Sequence, residues 1–90
     1  MKYTVVWSRR ALSALAEIWL DRPGERDEIR NASDSIDQLL SVDPAAQGES
    51  RNNDRRVLFL PPLVVIFRVD ESSRVVRVLD IRAMRRREGG

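Results

Sequence analysis

The sequence predicts an α+β fold, a two-layer sandwich with the order β-α-α-β-β-β, in which a helical hairpin packs on one face of an antiparallel sheet. Residues 55–88 contain three apolar runs of about six to eight residues separated by turn residues, as in antiparallel strands, and end in clustered arginines. Residues 11–40 instead repeat their apolar side chains every three or four positions, as in amphipathic helices. Ninety residues are the length of one small domain, so we expect residues 1–90 to form a single domain.

The first strand and the first helix are predicted from residues 3–19. Large apolar side chains alternate with Thr and Val from Tyr3 to Trp7, which favours a short strand. Ser8 follows at the position of a helix N-cap, where its hydroxyl would accept from the amides of the first turn. The apolar stripe that we expect to face the core consists of Leu12, Leu15, Ala16 and Trp19, with Ala11 and Ile18 beside it.

A second helix is predicted after a break at residues 22–24, where an Arg-Pro-Gly sequence interrupts the helical pattern. Acidic residues within 25–28 favour a helix start, and the Asp-Pro pair at 43–44 favours its end. The apolar stripe of this helix consists of Ile29, Ala32, Ile36, Leu39 and Leu40. Residues 44–54 are small and polar without periodicity, which predicts an exposed loop.

Three strands are predicted after this loop. The middle run, Leu63 to Val69, has no polar residue before Arg68, so we expect it to be the central strand with both faces covered. The consecutive prolines at 61–62 predict a rigid turn before it, and the polar residues 70–73 predict the next turn. Arginines lie within or at the ends of the outer two runs, so guanidinium groups are the distinctive chemistry of the predicted sheet.

The composition excludes several classes of site. The chain has no cysteine and no histidine, which removes disulfides, thiolate chemistry, the commonest general base and the commonest metal ligand. We therefore expect no cofactor and no metal. No N-terminal segment combines a basic start with a long apolar run, so we expect no membrane association and a cytoplasmic location.

The net charge of +2 conceals an asymmetry along the chain. Residues 11–50 carry nine acidic and three basic side chains, whereas residues 74–90 carry two acidic and six basic ones. An acidic helical half therefore adjoins a basic sheet half, which favours an acidic or polyanionic partner on the sheet side. Of the 16 basic residues only Lys2 is a lysine, and the planar fork of arginine suits phosphate and carboxylate groups. The arginines at 85–87 are equally typical of a solvated tail.

The chain resembles the RelE/ParE superfamily of type II toxin-antitoxin toxins in the stretch RVLFLPPLVVIFRVDESSRVVRVLDIRAMRR, together with the short N-terminal strand and the polar loop. The first helix carries the resemblance in Ala11, Leu15, Ile18 and Leu20. The resemblance covers nearly the whole chain and implies the β-α-α-β-β-β fold. It also implies a cognate antitoxin that wraps the sheet and the helical face and holds the toxin inactive.

Members of this superfamily fall into two functional groups. RelE-like members resemble small ribonucleases that cut mRNA in the ribosomal A site, whereas ParE-like members poison DNA gyrase and need no nuclease residues. We expect a ribosome-dependent mRNA endonuclease that inhibits translation and arrests growth, with the ribosome and mRNA as partners. The resemblance also allows a gyrase inhibitor, which the missing histidine and C-terminal aromatic favour, and a third alternative is a degenerate member that only binds RNA or an antitoxin.

The nuclease pattern of the family carries over to arginines of this chain. Arg55 and Arg56 match basic residues at the start of the second strand, and Arg68 is the basic residue nearest to the family's arginine of the third strand. The family's C-terminal arginine falls between Arg82 and Arg85, but the aromatic or histidine that follows has no counterpart. The resemblance thus implies catalytic roles for Arg68, Arg82 and Arg85, and RNA-binding roles for Arg55, Arg56, Arg86 and Arg87.

RNA cleavage needs a general base, which arginine does not supply. Arginine stabilises the charge of a phosphate well, but its pKa above about 12 keeps it protonated near neutral pH. The candidates for a base are the carboxylates of Glu49, Asp80 and Glu88, and Tyr3 carries the one phenol of the chain.

Structural roles compete with these assignments. Because side chains alternate along a strand, only one of Arg55 and Arg56 faces a given ligand. Arg68 is as well suited to a structural ion pair with Asp70 or Asp80 as to a contact with phosphate.

Overall fold

The computed structural model describes residues 2–84, except for the side chain of Asn53. It contains two helices on one face of a five-stranded sheet. The strands are β1 (Thr4–Trp7), β2 (Glu49–Ser50), β3 (Arg55–Leu60), β4 (Leu63–Asp70) and β5 (Val75–Ala83), and the helices are α1 (Arg9–Asp21) and α2 (Arg26–Val42). The predicted two-layer α+β fold is therefore confirmed. No helix within residues 2–84 is long and apolar enough to cross a membrane.

The sheet is mixed, which corrects the prediction of a wholly antiparallel sheet. The strands lie in the order β1-β5-β4-β3-β2, so β4 is the central strand as predicted. The pairs β2–β3, β3–β4 and β4–β5 are antiparallel, but β1 lies parallel to β5. Parallel pairing needs a long connection between the two strands, and here the helices and the other strands lie between them in the chain.

Residues 44–54 contain more structure than the predicted exposed loop. A 3₁₀ turn begins at Pro44, which is buried, and β2 then pairs with β3 as a fifth strand. Gly48 adopts a φ of 67°, and a Cβ at this position would clash with the carbonyl oxygen of Val57. The apolar pattern did not reveal β2 because a two-residue exposed strand pairs through its backbone and buries no side chain.

Ser8 caps α1 as predicted. Its hydroxyl accepts from the amide of Ala11 at 3.0 Å and donates to the carbonyl oxygen of Leu79 at 3.0 Å, so the cap also ties the helix to β5. The stripe of α1 that packs in the core consists of Ala11, Ala14, Leu15 and Ile18. Leu12 is 54% exposed and Ala16 is exposed, because they lie about 60° and about 100° around the helix beyond Leu15, which is at the edge of the core stripe.

The core lies between the helices and one face of the sheet. Its largest fully buried hydrophobic side chains are Phe67, Ile29, Ile36, Leu40, Leu63, Val65, Val76 and Val78. Along β4, buried residues alternate with Val64 and Ile66, which point to the other side and are half-buried. Within the described part of the chain no second layer packs on that side, so the expectation that both faces of the central strand are covered is corrected.

Candidate functional site

The side of the sheet without helices, called the open face below, carries charged and apolar side chains. It consists of Thr4, Val6, Glu49, Arg55, Val57, Phe59, Val64, Ile66, Arg68, Asp70, Val75, Arg77, Asp80 and Arg82. These residues share a face because directly paired residues on neighbouring strands point to the same side of a sheet. The open face therefore brings together arginines that are far apart in the sequence.

Three arginines lie side by side on the open face. Arg55 of β3 pairs with Arg68 of β4, and Arg68 pairs in turn with Arg77 of β5. These three exposed residues are called the arginine row. Neighbouring strands are about 4.8 Å apart, so the backbone holds three positive side chains within a width of about 10 Å. Like charges directly opposite each other destabilise a sheet, so the row lowers the stability of the free protein.

Two acidic residues of the open face are paired with arginines outside the row. The Oδ2 atom of Asp80 lies 3.5 Å from Nε of Arg82, and a carboxylate oxygen of Glu49 lies 3.1 Å from a guanidinium nitrogen of Arg51. Asp80 also accepts from the amide of Ile81 at 2.9 Å. Both carboxylates therefore contact groups outside the arginine row.

The third acidic residue, Asp70, is engaged in the β4–β5 turn. Its Oδ1 atom accepts from the hydroxyl of Ser72 at 2.7 Å and from the amides of Ser72 and Ser73 at 3.1 and 3.3 Å. These bonds, first that of the Ser72 hydroxyl, hold the pKa of Asp70 below its usual value. Among the described residues, no hydrogen bond or ion pair involves a guanidinium group of the arginine row.

Apolar side chains continue the open face beyond the row. Val57 and Ile66 form the next cross-strand pair, and Phe59 and Val64 form the one after it. Phe59 is 51% exposed, because no second layer within the described chain covers this face of the sheet. Arginine and phenylalanine are enriched in protein interfaces, and an apolar patch beside charged residues is typical of a binding surface.

Arg56, predicted to bind RNA, lies on the opposite side of β3 and holds the chain near β2. Its guanidinium donates to the carbonyl oxygens of Gln47 at 2.9 Å and Gly48 at 3.2 Å, and to the hydroxyl of Ser50 at 3.5 Å. The structure therefore gives Arg56 a structural role. Arg55 and Arg56 do point to opposite sides, as the alternation of a strand predicts.

The residues predicted to be catalytic are only partly brought together. Arg68 and Arg82 share the open face, but Arg82 pairs with Val64, which lies four residues, or about 13 Å, from Arg68 along β4. Arg68 contacts neither aspartate proposed as an ion-pair partner within the described residues. Arg85, Arg86, Arg87 and Glu88 lie outside the described residues, so their predicted roles stay predictions.

Arg77 is the member of the row that the sequence analysis did not identify. It became visible only through strand pairing, because nothing in its local sequence distinguishes it from other surface arginines. The signal was present in the turns: Arg68 and Arg77 are equidistant from the turn at 71–74, and Arg55 and Arg68 are equidistant from the turn at 61–62. Counting outward from both turns predicts the row.

The open face offers binding chemistry and little proton-transfer chemistry. Guanidinium groups bind phosphate or carboxylate oxygens but stay protonated at neutral pH. The phenol of Tyr3 packs on the helix side and donates to the Glu71 carboxylate at 2.7 Å, which raises the pKa of Tyr3. Asp80 is the carboxylate nearest the centre of the open face, with its side chain 20% exposed.

A cleft of about 380 Å³ opens at the end of the row beside Arg68. Its other lining residues include Arg56 and three acidic residues, Asp54, Asp70 and Glu71. The acidic side chains oppose the binding of an anion there. The exposed surface of the row is therefore a better candidate for anion recognition than the cleft.

Comparison with solved structures shows which class of protein has this fold. The chain from the chromosomal ParDE toxin-antitoxin system of P. aeruginosa is 21% identical with a TM-score of 0.75, over 92% of this chain and 97% of that one. A chain of the RelBE2 toxin-antitoxin complex of Mycobacterium tuberculosis is 16% identical with a TM-score of 0.75, over 92% of both chains. A chain of the archaeal RelE–RelB complex of Pyrococcus horikoshii OT3 is 17% identical with a TM-score of 0.68, over 97% of this chain and all of that one. This chain thus shares its fold with chains of several toxin-antitoxin systems.

The particular family follows from the sequence. The sequence model of the ParE toxin of type II toxin-antitoxin systems, parDE, matches residues 5–88. The chain therefore belongs to the ParE toxin family, and the resemblance to the RelE/ParE superfamily is confirmed. No curated protein matches the chain.

Proposed function

We propose that this toxin inhibits DNA gyrase by binding through its open face, without chemistry of its own. The observation that carries the proposal is the arginine row, in which three exposed guanidinium groups have no acidic partner among the described residues. Such a row suits an acidic protein surface or a phosphate backbone, and gyrase bound to DNA presents at least the phosphate backbone. The proposed target places the action of the toxin in the cytoplasm.

Two further points favour binding over catalysis. The family that matches is the ParE family, and ParE-like members are expected from the resemblance to poison gyrase. The chain has no histidine, and its one phenol lies on the helix side of the sheet. The open face of the described chain therefore offers carboxylates but no imidazole or phenol as a general base.

An mRNA endonuclease is the second candidate, and the same row favours it. Guanidinium groups bind phosphates and stabilise the charge that develops at a cleaved phosphate. Asp80 would be the carboxylate available as a base. It pairs with Ile66, which lies two residues, or about 7 Å, from Arg68 along β4. In this alternative the ribosome supplies part of the attack geometry.

We also propose that a cognate antitoxin binds and neutralises the toxin. The structures of similar fold include a ParDE system and RelBE2 and RelE–RelB complexes, which supports a protein partner of this kind. The asymmetric charge of the chain offers such a partner a basic sheet side and an acidic helical side.

Inducible expression in a bacterial host, with mapping of both DNA breaks and RNA 5′ ends, tests the target. We expect growth arrest with gyrase-dependent DNA breaks and intact mRNA. The double substitution Arg68→Ala/Arg77→Ala should relieve the arrest. The matched control is Arg9→Ala, which removes an exposed arginine of α1 and leaves the open face unchanged.

The other outcomes of this experiment separate the alternatives. Codon-phased mRNA cuts that disappear in the double variant would contradict gyrase inhibition and support the nuclease function. Normal growth in the presence of folded wild-type protein would contradict both and leave a member that only binds. Equal growth arrest by the wild type and the double variant would show that the arginine row is not part of the surface of the toxin that binds the target.

A further inference from the structure

The apolar side chains of the open face form a compact group next to the arginine row. Val57 pairs with Ile66 across β3 and β4, and Phe59 pairs with Val64 two residues further along. These four residues are called the apolar block; Phe59 is 51% exposed and the other three are half-buried. Successive pairs on one face of a sheet are about 7 Å apart. The arginine row and the two apolar pairs therefore form three evenly spaced steps along β3 and β4.

The charges beside the apolar block disfavour the phosphate backbone of DNA as its ligand. Glu49 pairs with Val57 on one side of the block, and Asp80 pairs with Ile66 on the other side. A phosphate backbone that continued from the arginine row across the block would pass between these two carboxylates and lie on side chains that donate no hydrogen bond. The open face instead suits a ligand that is acidic at one end and apolar along the rest, which is a property of protein segments.

The geometry of the open face favours a helical segment. The N–H and C=O groups of a sheet lie in its plane, so a face presents side chains and offers no backbone partner to an extended segment. An α-helix satisfies its own backbone groups internally. Four helical residues rise about 6 Å, close to the spacing of the three steps, and a helix is about 10 Å wide, close to the width of the arginine row.

We propose that the open face binds an amphipathic α-helix of gyrase, which lies along β3 and β4. Two apolar residues of this helix, four positions apart, cover the apolar block, and an Asp or Glu four positions beyond them binds the guanidinium groups of the arginine row. The inference rests on the proposed gyrase inhibition and names the kind of target surface that the toxin recognises. The protein part of the gyrase–DNA complex is therefore the part that the open face contacts.

Binding of the purified toxin to purified gyrase without DNA tests the proposal. The wild type should bind, and Phe59→Ala should weaken binding by at least about tenfold, because it removes an aromatic side chain from the centre of the contact. The matched control is Leu20→Ala, which shortens an apolar side chain of α1 that is 69% exposed and lies outside the open face. Equally tight binding by Phe59→Ala, or gyrase binding that requires DNA, would overturn the proposal.

Photocrosslinking identifies the contacted segment directly. A photoreactive phenylalanine analogue in place of Phe59 should crosslink to a helix of gyrase that carries the spacing of two apolar residues and one acidic residue. Crosslinks to DNA, to a second copy of the toxin or to a gyrase segment without this pattern would overturn the inference alone if the same toxin still inhibits supercoiling. A folded wild-type toxin that neither binds nor inhibits gyrase would overturn both the inference and the proposed function.

Discussion

At the scale of single residues, two consecutive arginines have opposite roles. Arg55 extends from the open face without a partner among the described residues, whereas Arg56 on the other side bonds to the backbone at Gln47 and Gly48. The alternation of β3 separates them, and the sequence predicted that separation. It did not predict which of the two would be structural, because the backbone that Arg56 contacts belongs to a segment with no apolar pattern.

The two arginines give a matched pair of substitutions. Arg56→Ala should lower the free energy of unfolding by about 1–2 kcal/mol, because it removes charge-assisted hydrogen bonds to two carbonyl oxygens. Arg55→Ala should change it by less than about 0.5 kcal/mol, since it removes no contact and relieves repulsion in the row. Urea unfolding followed by circular dichroism measures both values, and equal losses would contradict the assignment.

Asp70 makes the stability of the protein depend on pH in the acidic range. Its pKa is lower in the folded protein because the Ser72 hydroxyl and the amides of Ser72 and Ser73 bond to the ionised carboxylate. The stabilisation is therefore complete above the unfolded pKa of about 3.9 and is lost as pH falls through the folded pKa. Asp70→Asn retains the acceptor oxygen but cannot ionise, so its stability should approach that of the wild type as the pH is lowered below about 4. Urea unfolding at a series of pH values measures this difference, and a constant difference across the range would contradict the prediction.

At the scale of elements, local signals predicted most of the fold. The N-cap at Ser8, the break at 22–24, the helix end at Asp43 and the two hairpin turns all lie where the sequence placed them. The parallel pairing of β1 with β5 was not predictable in the same way. It depends on contacts between residues that are about 70 positions apart in the sequence, which local signals do not reveal. The arginine row was predictable from the hairpins, but only by counting register through both turns.

β2 depends on the conformation of one glycine. Gly48→Ala should destabilise the protein by about 1–3 kcal/mol, because φ is positive there and a Cβ would clash with the carbonyl oxygen of Val57. Gly24→Ala is the control, since a Cβ at that position meets nothing within 4 Å. Thermal unfolding of the two variants measures the effect. Equal stability of both would mean that residues 47–50 are not held against β3.

At the scale of the whole molecule, the fold separates two surfaces of opposite character. The helices cover one face of the sheet, and residues 11–50, which include most of both helices, carry nine of the 14 acidic residues. The open face presents the arginine row beside exposed Phe59. A toxin that must bind both a target and a neutralising partner can use these surfaces independently. The composition predicted the charge asymmetry, but which strands would carry the row depended on the register of the sheet.

The most direct test of gyrase inhibition through the arginine row is a supercoiling assay with purified gyrase and purified toxin. The wild type should inhibit supercoiling, and Arg68→Ala/Arg77→Ala should raise the half-inhibitory concentration by at least about tenfold, the effect of losing about 1.4 kcal/mol of binding. The double variant should unfold at the same urea concentration as the wild type or a slightly higher one, because it removes repulsion between like charges. Inhibition of equal strength by the folded variant, or no inhibition by the folded wild type, would contradict the proposed mechanism.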